Sequence, residues 1–414
     1  MNEPTYVIVG GGLCGAKAAA QLRSNGADGR VVLVSEETEL PYERPPLSKD
    51  LLQGTSTPAD ARVFDADFYA QEQIELLSGV TATRLDAGAR RVELSDGREI
   101  AFAALLIATG AAPRPLAVPG AELDGVFTLR TLADAQALAG RLRAGGALAV
   151  IGGGWIGSEV AASARTLGME VTVIDPAALP NAQRFGPEVA GFYAALHARH
   201  GVSQRFGVGV EAIEGGSQVT AVLTTDGERI EADTVVVGVG AAPRTELAEG
   251  AGITVADGIL TDASLRTAAA GIFAAGDVAL AHHPFYNTRV RVEHWANALH
   301  QGPAAARAML GQSVSYDRLP FFFSDQFEVG MEYSGQPDPA AQVLIRGELA
   351  RGEFIALWLL DGRLIAGMNV NVWDVSEPIQ TLIRSRARLD VGPLLDPDTP
   401  LSAIAESVTA GSAG

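Results

Sequence analysis

The chain has 414 residues, 47% hydrophobic and 19% charged, a globular composition with room for two or three domains. Its formal net charge of −18 repels nucleic acid and argues against it as a general partner, local basic patches aside, and no uninterrupted apolar run is long enough to span a bilayer. Cys14 is the only cysteine, so an intrachain disulfide is impossible, a cysteine-based metal site is not expected, and redox chemistry must be carried by a bound cofactor.

Met1-Asn2-Glu3-Pro4 carries no positive n-region, so no signal peptide is expected and the chain reads as cytoplasmic. Val7-Ile8-Val9 is a short apolar strand. It runs into a G-x-G-x-x-G turn made by Gly10, Gly12 and Gly15, then a small-residue, helix-like stretch, Ala16-Lys17-Ala18-Ala19-Ala20. A second strand, Val31-Val32-Leu33-Val34-Ser35, ends at Glu36. In such a unit the first glycine makes the tight turn, the second lets a pyrophosphate approach the backbone, and the third lets helix pack on strand. The helix N-terminus then receives the phosphates, and the acid accepts hydrogen bonds from a ribose diol.

Further on, Pro45 and Pro46 fix an extended loop, and Ser48 is expected to cap a helix. Neither role explains the cations Arg44 and Lys49 on either side. Asp96-Gly97 opens a segment ending Thr109-Gly110-Ala111-Ala112-Pro113-Arg114.

The plan then repeats. Ala149-Val150-Ile151 leads into Gly152, Gly154 and Gly157, with Trp155 and Ile156 inside the turn. Ser158-Glu159-Val160-Ala161-Ala162 follows, and Val171-Thr172-Val173-Ile174 ends at Asp175. Asp226-Gly227 opens a segment ending Val239-Gly240-Ala241-Ala242-Pro243-Arg244, with the same spacing as its counterpart. Two copies of one supersecondary plan are the simplest explanation. A 2′-phosphate beside Asp175 would be repelled, and Pro176 rather than arginine follows, so NAD is favoured over NADP in the second fold.

His197 and His200, three apart on an expected helix, read as surface histidines, and His282-His283 as a loop. Ala274-Ala275-Gly276-Asp277 reads as a strand end with a glycine turn, and Glu293-His294-Trp295 precedes a helix-like run. Phe321-Phe322-Phe323 suits a buried strand of a third domain. There 342–349 and 354–360 read as strands, with Asp361-Gly362 as a hairpin turn. Residues 378–389 read as a helix whose Arg384, Arg386 and Arg388 form a solvated face or a docking patch for an acidic partner.

Over essentially its whole length the sequence resembles the FAD-containing, NADH-dependent ferredoxin reductases of bacterial oxygenase systems, and more distantly apoptosis-inducing factor. The marks are Arg44-Pro45-Pro46-Leu47-Ser48-Lys49, Ala108-Thr109-Gly110, Ala274-Ala275-Gly276-Asp277, Glu293-His294-Trp295 and Phe323-Ser324-Asp325-Gln326. The resemblance implies an α/β chain of two Rossmann-like dinucleotide-binding domains plus a smaller α+β C-terminal domain. The FAD domain would comprise 1–109 and 243–319, the NAD domain 110–242, and the C-terminal reductase domain 320–414. It implies FAD and NAD(H) as cofactors and a [2Fe-2S] ferredoxin as partner, serving an oxygenase or cytochrome P450.

The resemblance also implies site residues. Lys49 would lie by the flavin N5 edge and pair with Glu159. Arg44 and Arg130 would contact FAD, Ala82 would meet the adenine through its backbone, and Asp277 would bond the ribityl chain. The helix after Glu293, His294 and Trp295 would point its N-terminus at the pyrimidine side of the isoalloxazine, where reduction places negative charge. Gly12, Gly15 and Glu36 would serve FAD, and Gly154, Ile156, Gly157, Asp175 and Gly240 would serve NAD. Two positions depart from the family pattern. The family often has tryptophans where this chain reads Phe321-Phe322-Phe323-Ser324-Asp325, with Phe323 at the position of an aromatic near the nicotinamide site, and Gln301-Gly302-Pro303 stands where some relatives carry a ferredoxin-docking arginine. The alternative readings are an NADH-sensing flavoprotein like apoptosis-inducing factor, and an NADH oxidase or disulfide-reductase relative. The latter needs a cysteine beside the flavin, where this chain reads Leu40-Pro41-Tyr42-Glu43.

Overall fold

The structure, a computed structural model, describes residues 3–411. Met1 and Asn2, part of the segment read above as lacking a leader, and residues 412–414 of the expected third domain lie outside them. The chain divides into two compact units, one of Met1–Arg44, Pro58–Ala112 and Ala241–Pro320, the other of Pro45–Thr57, Pro113–Gly240 and Phe321–Gly414. The loop that carries Pro45 to Lys49 therefore clusters with the second unit.

The first unit is built on a five-stranded parallel sheet in the order Ile272–Ala274, Ala104–Ile107, Thr5–Val9, Arg30–Ser35, Ile74–Ser78. A central parallel strand is covered on both faces, which is why Val7, Ile8, Val32 and Leu33 are all fully buried rather than alternating. Its outer strand arrives from far along the chain, so this unit is discontinuous in sequence. The helices Leu13–Ser24 and Trp295–Met309 pack against each other, closely enough that a Cβ on Gly302 would lie 2.2 Å from the Cys14 carbonyl oxygen. The three strands Ala82–Asp86, Arg91–Leu94 and Glu99–Ala101 form an antiparallel meander.

The second unit repeats this plan. Its parallel sheet runs Ser203–Phe206, Glu170–Asp175, Ala147–Ile151, Thr234–Val237, Val126–Phe127, with its own meander of Val210–Gly215, Val219–Thr224 and Arg229–Glu231. The same unit holds a five-stranded antiparallel sheet ordered Phe321–Gln326, Val329–Gly335, Arg363–Val370, Glu353–Leu360, Gln342–Glu348. The two sheets are joined by an aromatic core: the Trp155 ring lies 5.4 Å from that of Phe322 and 5.5 Å from that of Phe185.

Three expectations change in detail. The helix read over 378–389 spans Ser376–Ser385; Arg386 then takes φ 52, and the Leu389 N–H donates to the Gly362 carbonyl at 2.8 Å, turning the chain back onto the hairpin. His283 ends the strand Ala279–His283 and is buried, its Nε2 lying 2.9 Å from the Arg318 carbonyl. His197 is also buried, at 5% exposure, because Gln326 supplies the polar partner a surface site would have drawn from water. Among the described residues no helix is long and apolar enough to cross a membrane.

Candidate functional site

In each parallel sheet the glycine turn leaves the first strand in the same way. Gly10 has φ +123 and Gly152 φ +106, a backbone region that side chains disfavour. A Cβ there would lie 2.1 Å from the Ala108 carbonyl oxygen in one turn and 2.4 Å from that of Gly238 in the other. The third glycines face inward: a Cβ on Gly15 would meet the Gly10 oxygen at 1.9 Å, and one on Gly157 the Gly152 oxygen at 2.0 Å.

The middle glycines are different. Gly12 and Gly154 stand at the N-caps of Leu13–Ser24 and Trp155–Thr166 with nothing within 4 Å of an added Cβ. Neither helix start has a side-chain cap or an acidic residue in its first turn. Amide donors and dipole at an uncapped start, beside a glycine with open space, fit a dinucleotide pyrophosphate. Ile156, in the second turn, is 48% exposed.

The acids at the strand ends are handled differently. Glu36 accepts from Arg244 Nη1 at 2.6 Å, and this hydrogen bond holds its carboxyl below the usual range. Asp175 is tied to backbone: its Oδ2 accepts the Gly153 N–H at 2.7 Å and its Oδ1 the Ala177 N–H at 2.8 Å. Gly240, φ +102, accepts the Arg114 N–H at 2.9 Å.

In the first unit Arg44 Nη2 lies 3.2 Å from Glu37 Oε1, and the Tyr42 hydroxyl also donates to Glu37. Trp295 opens its helix and donates Nε1–H to Glu43 Oε2 at 3.0 Å; His294 is the extended N-cap, with no side-chain cap bond. Glu293 pairs with Arg291, which also reaches Asp257. Asp277 sits in the single 3-10 turn Gly276–Val278 that follows the strand Ile272–Ala274. Gln301 is buried and accepts the Gly276 N–H at 2.8 Å, so it braces this turn. Ala82 begins the meander opposite Leu94. The Cys14 thiol is buried and its pKa is pushed well above the usual range, first by burial and then by Asp277, so it is a poor nucleophile.

In the second unit, Lys49 Nζ lies 3.0 Å from Glu159 Oε1, with Glu159 only 4% exposed. The structure thus brings together the two residues expected to pair. Ser48 does not cap the following helix: Lys49 is the N-cap of Asp50–Gln53, and the Ser48 hydroxyl donates to Glu159 Oε2 at 2.5 Å. A buried carboxylate needs its lone pairs filled, and that demand outweighs a cap on a four-residue helix. The Ser324 hydroxyl donates to Glu159 Oε1 at 2.7 Å. The Phe323 ring centroid lies 5.4 Å from Lys49 Nζ, a cation–π distance. Arg130 leads into the helix Leu132–Ala144, its N–H donating to Asp134 of the Thr131 capping box at 3.0 Å.

Residues 4–302 match the family model described as pyridine nucleotide-disulphide oxidoreductase, and residues 321–405 match the model described as reductase C-terminal. The chain is 40% identical over 406 residues to the ferredoxin–NAD(+) reductase component of the anthranilate 1,2-dioxygenase system of Burkholderia cepacia, covering 97% of this chain and 99% of that protein. It is 37% identical over 404 residues to the putidaredoxin reductase of Pseudomonas putida, covering 96% of each. Among solved structures, it matches a chain of the covalent putidaredoxin reductase–putidaredoxin complex with a TM-score of 0.95 at 36% identity, covering 99% of this chain and 100% of that one. Two glycine turns with the same open middle position, on two copies of one parallel sheet, agree with that ancestry, and the chain belongs to the pyridine nucleotide-disulphide oxidoreductase family.

Proposed function

We propose that this chain is an NADH-dependent flavoprotein reductase that takes hydride from NADH and passes the electrons singly to a [2Fe-2S] ferredoxin serving an oxygenase or cytochrome P450. The observation that carries the reading is the duplicated turn, with open space at Gly12 and at Gly154 over two uncapped helix starts. Two relatives of matching length, one named as a ferredoxin–NAD(+) reductase component and the other as a putidaredoxin reductase, support the electron acceptor. Overall, NADH and two oxidised ferredoxins become NAD+, a proton and two reduced ferredoxins.

FAD bound at the first turn supplies the chemistry, accepting two electrons together and releasing them one at a time. The chain's own residues bind and orient. Gly12 and Gly15 are assigned to admit a pyrophosphate and to pack the helix beneath it, and Glu36 is assigned to a ribose diol. Gly154, Gly157 and Asp175 do the same for NADH. Lys49, held by Glu159, is the cation assigned to the flavin N5 edge; Arg44, Arg130, Ala82, Asp277 and the helix start at Glu293 to Trp295 are assigned to the rest of the FAD, and Ile156, Gly240 and Phe323 to the nicotinamide nucleotide. The domain limits proposed above, 1–109 with 243–319, 110–242 and 320–414, accompany this assignment. The cytoplasm, where NADH is available, is the proposed compartment.

The buried Cys14 thiol disfavours the disulfide-reductase alternative. The test is anaerobic reduction of the FAD-loaded protein by NADH, followed by titration with [2Fe-2S] ferredoxins. Rapid bleaching of the flavin and one-electron reduction of a ferredoxin are expected. A flavin that NADH reduces only slowly, into a long-lived charge-transfer complex with no electron passing on, overturns the reading in favour of a sensor.

A further inference from the structure

Glu159 receives more donors than an ion pair needs, and one arm of them runs deep. Besides Lys49 and Ser48, its carboxylate accepts from the Ser324 hydroxyl at 2.7 Å. That hydroxyl has a single proton. Gln326 Nε2 donates to Ser324 Oγ at 3.1 Å and fills its acceptor side, so the proton points at Glu159. The sense of the Gln326 amide is set at its other end, where Oε1 lies 2.8 Å from Nε2 of His197. This contact is a hydrogen bond when His197 carries its proton on Nε2. Burial lowers the His197 pKa and keeps the ring neutral. The four groups come from three elements of one unit: Glu159 from Trp155–Thr166, His197 from Pro187–Arg199, and Ser324 and Gln326 from the inward face of the edge strand Phe321–Gln326.

We propose that His197, acting through Gln326 and Ser324, is a positioning residue for the Lys49–Glu159 pair. The chain of donors runs one way: His197 N–H to Gln326, Gln326 N–H to Ser324, Ser324 O–H to Glu159. Every link depends on the one before it. Without a donor at position 197, the buried Gln326 carbonyl has no partner, and nothing at that end holds the amide against turning over. The oxygen then faces Ser324, whose hydroxyl turns to donate to it and leaves Glu159. Glu159 loses one of its three donors, its charge bears more strongly on Lys49, and the ammonium is drawn away from its place at the flavin. The inference rests on the functional reading above, which assigns Lys49 to the flavin.

The test uses the full-length, FAD-loaded protein and anaerobic stopped-flow reduction by NADH. His197→Phe is expected to lower the limiting rate of flavin reduction on the order of tenfold, equivalent to about 1.4 kcal/mol, with the NADH concentration at half-saturation unchanged. His197→Gln, whose amide N–H replaces the imidazole donor, restores most of the rate. Equal limiting rates in wild type and His197→Phe, or a His197→Gln variant as slow as His197→Phe, overturns the proposal. If His197→Phe does not fold, Ser324→Ala removes only the last link; it is expected to show the same fall, and a wild-type rate overturns the proposal. Nitrogen-15 NMR of the histidines gives a readout free of turnover. A neutral Nε2–H tautomer at His197 near pH 7 is expected; an Nδ1–H tautomer or an imidazolium overturns the chain. A wild-type protein that NADH fails to reduce, with the Nε2–H tautomer present, defeats the functional reading and not the chain.

Discussion

Replacing Gly154 by alanine separates cofactor binding from folding. Gly154 has φ −70 and ψ −179, a conformation alanine adopts freely, and nothing lies within 4 Å of the added Cβ. The fold is therefore expected to tolerate the change, and loss of glycine's unfolded-state freedom would stabilise by about 0.4–1 kcal/mol. In the proposed function, the space the methyl fills is the side from which the NADH pyrophosphate approaches the helix start. Losing one hydrogen bond to a charged phosphate costs about 1.5–3 kcal/mol, or about ten- to hundredfold in NADH affinity. Gly157→Ala is the opposite case. Its Cβ would lie 2.0 Å from the Gly152 carbonyl oxygen, a backbone atom that cannot swing aside. It is expected to lower stability by about 1–3 kcal/mol or more. Thermal unfolding of the FAD-loaded protein and the NADH dependence of flavin reduction measure the two effects. A Gly154→Ala variant with unchanged NADH affinity, or one as unstable as Gly157→Ala, refutes the reasoning.

Wild-type kcat/KM should favour NADH over NADPH by about tenfold or more, at least about 1.4 kcal/mol, and Asp175→Ala should narrow the gap; equal values in the wild type would contradict the role of Asp175. Cys14→Ala should keep its FAD and reduce ferricyanide near the wild-type rate, whereas Lys49→Ala, compared at full FAD occupancy, should slow flavin reduction; the reverse pattern would demand cysteine chemistry. The native Cys14 thiol should resist iodoacetamide and react once the chain is unfolded, and rapid labelling of the native protein would show that its burial is not maintained. The folded pKa of His197 lies below its ordinary value of about 6.5, so the unfolded chain takes up the proton first as pH falls. Its contribution is fully present above about pH 6.5 and is lost below it, by up to about 1.4 kcal/mol per pH unit until the folded pKa is reached. His197→Gln should flatten the fall of the denaturation midpoint between pH 7 and 5; His300, shifted in the same direction, leaves a residual slope.

The elements legible in the sequence are those whose signal is local. Each glycine turn announces itself because the tight φ, the open side and the helix contact are all met by one residue type at fixed spacing, and the strand before and acid after lie in the same short window. The pairing of Ile272–Ala274 with Ala104–Ile107 has no such window: both are short apolar strands, and nothing in either names its partner. The buried network was harder still. Ser48 reads as a cap because serine before a helix usually is one, yet a carboxylate 111 positions further on claims its hydroxyl. His197 reads as a surface residue because it stands three from His200 and no carboxylate nearby in the sequence completes a metal set. Gln326 decides otherwise, and its one trace in the sequence is the alternation of Phe322, Ser324 and Gln326 on the inward face of a strand. A polar residue at such positions is a signal that some other buried group must answer it.

The two strand-end acids show why a duplicated fold need not treat its two nucleotides alike. Glu36 is held by Arg244 across a pair whose side chains are both more than a third exposed, and such a pair contributes about 0–1 kcal/mol. The carboxylate can exchange that partner for ribose hydroxyls at little cost, and the guanidinium beside it weakens repulsion of further negative charge. Asp175 is fixed by two backbone N–H groups, so its carboxylate keeps its place and its charge with no cation among those bonds. A phosphate about 4 Å from it meets a repulsion between about 1 kcal/mol in water and about 4 kcal/mol at an effective dielectric of 20. The first arrangement suits a cofactor that stays bound. The second suits a substrate that must be chosen on each turnover, because discrimination built on fixed charge acts at every encounter.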